Sequence, residues 1–211
     1  MQKEVAVTNF LFWDVDTQND FMLPEGKLYV PGAEKIIPSI QRLNRAAADA
    51  GVQVISSTDA HQASDPEFQT YPPHCLAETE GQKKVEGTLL EGEYVIPNRK
   101  IALPSDLASF PQIIIEKQDV NVFTNPNLED LLQRVARGKQ IILYGVVTEI
   151  CVDLAARGLI QRGYGVNLVR DAVRHLDEKL GQATIAEITR SGCRLLTTDE
   201  AIEAVRAHSS V

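Results

Sequence analysis

The feature that most constrains this chain is an alternation, sustained along most of its length, between short apolar runs and longer amphipathic segments. Strand-like runs fall at residues 10–13, 52–56, 113–116, 140–144, 165–169 and 194–196. Helix-like periodicity falls at 33–50, 127–137, 149–162, 178–191 and 199–208, and Gly51 and Gly163 stand where helices commonly stop. Strands that are apolar on both faces, each followed by a helix, call for a parallel sheet covered on both sides. The pattern therefore predicts an α/β fold: a three-layer α/β/α domain over residues 1–211 around a central, mostly parallel sheet of about six strands. One long irregular stretch, 58–103, interrupts the alternation with only a short strand-like piece at 93–96. A loop of that length inside a compact domain is usually functional or disordered.

Composition narrows the function classes. With 21 Lys and Arg against 29 Asp and Glu, the formal charge is −8, so nucleic acid and anionic membrane surfaces are not the expected partners. No apolar run reaches the roughly 18 residues of a membrane span. Residues 1–4 lack the basic-then-apolar layout of a secretory signal, and the three cysteines, Cys75, Cys151 and Cys193, cannot all pair internally. The expectation is a cytoplasmic protein acting on small molecules.

In open parallel sheets the ligand lies outside the carboxyl ends of the strands. Those ends carry Asp14 and Asp16, then Asp59 and His61, then Glu116 and Lys117, then residues 145–148 leading to Cys151. Cys151 falls in the first turn of a predicted helix, where the macrodipole and unpaired amides favour a thiolate. A thiol near its ordinary pKa needs a base or a cation to react at neutral pH, and Asp16 and Lys117 supply these types. Singly, a turn or capping aspartate and a solvated lysine are the favoured readings of Asp16 and Lys117, and a packed cysteine is the alternative for Cys151. Their joint placement at neighbouring strand ends is what suggests a catalytic triad.

The irregular stretch offers a second group. Asp59 and His61 are two apart, so in extended chain both side chains point the same way, and His74 can close on them from the loop. One carboxylate and two imidazoles suit Zn²⁺, Mn²⁺ or Fe²⁺ with open positions left over, although surface histidines in a polar loop are equally consistent with this spacing. Cys75 is either a fourth ligand or a packed neighbour.

Five separated elements, FLFWDVDTQNDF at 10–21, Asp59 to His61, YPPHC at 71–75, Lys117, and GVVTEICV at 145–152, together resemble the isochorismatase-like cysteine hydrolases, in the nicotinamidase branch. The resemblance implies that Cys151 is the nucleophile, Asp16 the general base and Lys117 the cation orienting both. It implies a cis Val146–Val147 bond, an oxyanion hole made by the Val147 and Cys151 amides, and a divalent transition metal on Asp59, His61 and His74. The metal would hold the ring nitrogen of a pyridine carboxamide between Phe21 and Tyr71, and the protein would be a homo-oligomer. Tyr71 stands where many nicotinamidases have Trp, and QDVNVFTNPN after Lys117 lacks a serine-rich pattern common in that branch, so the alternatives stay open: an amidase for a carbamoyl or ureido compound, an isochorismatase-type hydrolase, or a non-catalytic metal-binding protein on this scaffold.

Overall fold

The computed structural model describes residues 9–208, so residues 1–4, read above for a secretory signal, lie outside the described residues. The predicted alternation is realised as seven strands, β1 (Phe10–Val15), β2 (Val54–Asp59), β3 (Tyr94–Ile96), β4 (Gln112–Lys117), β5 (Gln140–Val146), β6 (Gly165–Arg174) and β7 (Arg194–Leu196). They form one sheet in the spatial order β3-β4-β2-β1-β5-β6-β7, with every strand pair parallel. The seventh strand is β3, the short piece inside the long irregular stretch. It reaches the sheet by pairing three residues with β4 and forms an edge.

The helices are α1 (Asn19–Met22), α2 (Ile37–Asp49), α3 (Leu128–Val135), α4 (Asp153–Gln161), α5 (Glu178–Arg190) and α6 (Thr198–His208). Alternation along β1 shows how the two layers arise. Leu11, Trp13 and Val15 join the core that α3, α4 and α5 cover, whereas Phe12 joins the core under α2 and α6. No helix among the described residues is long and apolar enough to cross a membrane.

From β1 the chain adds β2 beside it, then β3 at the edge and β4 between them, and only then places β5 on the other side of β1. That reversal makes the β1/β5 carboxyl ends the switch point of the sheet, where a crevice opens. Gly145 sits there beside Val15 with φ of +117°, and a Cβ at this position would come within 2.1 Å of the Val15 carbonyl oxygen, so glycine alone lets the two strand ends close up.

Two boundaries differ from the sequence expectation. The segment expected to be helical from residue 33 begins as a 3-10 turn, Ala33–Ile36, because Pro38 suits only the first turn of the α-helix that follows. The helix expected from residue 149 is preceded by a π-helical turn, Thr148–Val152, and α4 proper starts at Asp153.

Candidate active site

Asp16 follows the last residue of β1 and takes φ of +50°, which carries its side chain out of the strand alternation that buries Asp14 under α2. Its amide still donates to the Ser57 carbonyl at 3.1 Å, and the Ser57 hydroxyl donates to Asp16 Oδ1 at 2.7 Å. Lys117 ends β4 directly beside Asp59 in the β2–β4 register. Its Nζ hydrogen-bonds to Asp59 Oδ1, stands 3.0 Å from Asp16 Oδ2 and 3.9 Å from Cys151 Sγ. Cys151 comes from the π-helical turn after β5. Three strand ends therefore bring the base, cation and thiol expected from the sequence to one point, each less than a tenth exposed.

The electrostatics follow from one buried ammonium among anionic groups. Burial opposes the Lys117 charge, but Asp16, Asp59 and Cys151 outweigh it and hold this lysine protonated well above its ordinary range. For Asp59, burial is overcome by Lys117 and by the two histidines, which hold the carboxyl well below its ordinary value. Asp16 goes the other way: burial, aided by the Asp59 charge and resisted by Lys117 and Ser57, raises it. The Cys151 thiol is also pushed up, by burial first, with Lys117 pulling down and the two carboxylates pushing up. This corrects the expectation of a thiolate favoured by a helix terminus. The sulfur is buried in a π-helical turn, and burial outweighs the pull of Lys117 on its thiol.

The metal group expected from Asp59, His61 and His74 is assembled, and Glu67 joins it. One ligand-type atom from each of the four lies within 4.8 Å of the others. The imidazoles are oriented from behind. His61 Nδ1 is 3.0 Å from Asp65 Oδ2, and His74 Nδ1 is 2.8 Å from the Pro72 carbonyl, so each Nδ1–H is engaged and each Nε2 faces the centre. Those Nε2 atoms lie 3.5–3.7 Å from Asp59 Oδ2 and Glu67 Oε1, and His61 Nε2 is buried without a hydrogen-bond partner. A buried, unsatisfied imidazole nitrogen facing two carboxylates is the chemistry of a transition-metal ligand, so the residues present fit a divalent ion. Cys75 lies outside this group. It is fully buried in the α2/α6 core, its amide donating to Asp20 Oδ2 at 2.7 Å, which resolves its role as packing.

A small cleft runs from the metal group to the thiol, walled by Phe21, Tyr71, Val120, Val147, Ile150, His74 and Glu67, with Leu28 and Leu176 at its sides. Phe21 packs on the His74 ring at a centroid distance of 5.2 Å, and Phe68 packs on both histidine rings. Both aromatics expected around a substrate ring are thus in the wall. The Val146–Val147 peptide bond is cis, as expected. The sequence reading missed Glu67 and Ser57. The available signal for Glu67 was Asp65-Pro66, which starts the 3-10 turn Pro66–Gln69 and swings the next residue inward. Ser57 lies one residue beyond the end expected for its strand.

Comparison with known proteins agrees with this geometry. The isochorismatase domain family matches residues 11–200. The chain is 27% identical over 192 residues to a ureidoacrylate amidohydrolase of Rhizobium rhizogenes, covering 83% of this chain and 75% of that one. It is 25% identical over 212 residues to a nicotinamidase of Escherichia coli, covering 87% and 92%. The structure superposes on a pyrazinamidase of Pyrococcus horikoshii in complex with zinc with a TM-score of 0.73 and 26% identity, covering 90% of this chain and 99% of the other.

Proposed function

This chain belongs to the isochorismatase-domain family, and we propose that within it the protein is a metal-containing cysteine amidohydrolase that converts a small neutral aromatic carboxamide, nicotinamide first among them, to the carboxylic acid and ammonia. The observation that carries this reading is the convergence of Asp16 and Lys117 on Cys151, whose side of the buried cluster opens into the cleft.

In the proposed reaction Asp16 takes the thiol proton, and Cys151 Sγ attacks the amide carbon. The oxyanion forms beside the Val147 and Cys151 amides, which would stabilise it, while Lys117 keeps the separated charges compensated. Asp16 then returns the proton to the departing nitrogen, ammonia leaves, and a thioester remains on Cys151. Asp16 next accepts a proton from water, whose oxygen attacks the thioester and releases the acid and the thiol. A divalent metal on Asp59, His61, His74 and Glu67 would supply a Lewis-acidic position for a ring nitrogen.

The wall favours a neutral substrate. Among the described residues the cleft wall carries Asp59 and Glu67 but no lysine or arginine, and Lys117 behind it is already compensated by Asp16 and Asp59. A ureido or carbamoyl acid would bring a carboxylate with no cationic side chain on the wall to receive it. Ammonia release from nicotinamide, pyrazinamide, benzamide and ureidoacrylate, with metal analysis of the purified protein, tests the reading. Turnover of nicotinamide and pyrazinamide is the expected result. Turnover confined to ureidoacrylate moves the assignment to the ureido-acid amidases, and ammonia from none of the four removes it.

A further inference from the structure

We propose that Gln18 is a positioning residue that holds Asp59 at the junction of the triad and the metal group by standing in for a missing strand neighbour. The inference rests on the metal-centre part of the reading above. On one side, β2 stays paired to the end, with Asp59 opposite Lys117 of β4. On the other side, β1 pairs with β2 only as far as Val15 opposite Ser57, because the chain turns away at Asp16. Asp59, the residue whose carboxylate touches both Lys117 and the histidines, would therefore have an unsupported peptide on that flank.

The Gln18 carboxamide fills the gap. Its Oε1 accepts from the Asp59 amide at 2.7 Å, and its Nε2 donates to the Asp59 carbonyl at 2.8 Å, the two-point pairing that a β-strand peptide would make. The second Nε2 hydrogen goes to the Gln82 carbonyl at 2.7 Å, which ties the long irregular segment to the same point. Gln18 is completely buried, and all three of these bonds lie within the capacity of a primary carboxamide. Glutamate lacks the donors, and asparagine is one methylene short of the reach. With both its N–H and its C=O held, Asp59 has a fixed Cα–Cβ direction, so Oδ1 stays on Lys117 and Oδ2 stays toward His61 and His74.

Zinc affinity of the metal-free protein, measured by competition with a chromophoric chelator, tests this without any substrate. Gln18→Met should weaken zinc binding about tenfold or more, as removal of a group orienting a metal ligand does. Val54→Ala, a core truncation on the same strand, should lower the thermal midpoint but leave zinc affinity unchanged in the folded protein. Gln18→Glu keeps the acceptor for the Asp59 amide but loses both donors, and it should fall with Gln18→Met; it also serves if the methionine variant does not fold. Zinc affinity in either Gln18 variant equal to that of the unaltered protein overturns the positioning role. Zinc affinity lost in proportion to the thermal midpoint in all three variants reduces it to general stability. An unaltered protein that binds no zinc overturns the metal centre and this inference together, whereas ammonia release failing with zinc binding intact bears on the substrate alone.

Discussion

Asp59 and Lys117 occupy one register position of the β2–β4 ladder and share a buried ion pair, so a single carboxylate serves two centres at once. One of its oxygens compensates the lysine between Asp16 and Cys151, and the other faces the histidines. Asp59→Ala should accordingly be worse than His61→Ala. The histidine variant should lose nicotinamide turnover mainly through a raised KM. The aspartate variant should lose kcat as well, by about tenfold or more beyond the histidine variant, because it removes one of the two carboxylates that pair with a buried ammonium. Steady-state kinetics on both variants give the split, and equal losses confined to KM would show that the shared carboxylate does not couple the centres.

The choice of Asp16 over Asp14 can be tested on stability and activity together. Asp14 belongs to a different buried pair, with Lys84 Nζ 2.7 Å away and Asn44 within hydrogen-bond distance. Asp14→Asn should destabilise by about 3–5 kcal/mol, the usual cost of stranding one partner of a buried pair, while the folded fraction keeps turning over. Asp16→Asn should fold and be inactive. Denaturant unfolding with activity per folded molecule separates the two, and the reverse assignment follows if Asp14→Asn is the folded but inactive variant.

Much of this was legible in the sequence because strand ends in a parallel sheet are readable from apolar runs, and the ligand site follows from them. Phe10 to Trp13 and Gln140 to Tyr144 marked two adjacent strands, and Asp16 and Cys151 follow them at the expected distance. The sequence could not show the environment. Whether Cys151 sits at an open helix terminus or in a buried π-helical turn depends on packing from α4, α5 and β5, and burial is what pushes its thiol up. Glu67 and Gln18 were hidden for a related reason. Each acts across 41 residues or through a short irregular turn, and no hydrophobic period reports such contacts.

The raised Asp16 carboxyl fixes the sign of the pH dependence. Asp16 has to be ionised to take the thiol proton, so kcat/KM should rise with pH through its pKa, on a limb above the ordinary carboxylate value of 3.8. The Ser57 hydroxyl stabilises the ionised form, so Ser57→Ala should move that limb to higher pH without abolishing turnover at its plateau. A limb that stays fixed or moves to lower pH would remove Asp16 from the role of base.

Thiol labelling should discriminate by access and neighbours. Burial pushes all three thiols up, but Cys151 lines the cleft beside Asp16 and Lys117, whereas Cys75 and Cys193 are buried in the core away from it. Iodoacetamide followed by peptide mass spectrometry should find Cys151 modified first, and activity should disappear in step with that peptide. Faster modification of Cys193 would contradict the assignment.

If the Cys151 sulfur carries the acyl group between amide and acid, acid-quenched turnover followed by intact and peptide mass spectrometry captures it there. With nicotinamide as substrate, the expected result is a species heavier by one pyridine-carbonyl group, located on the Cys151 peptide, absent from Cys151→Ala and accompanied by ammonia release only in the unaltered enzyme. Turnover of nicotinamide by Cys151→Ala above about 1% of the unaltered rate, or an acyl group found on any other residue, would contradict it.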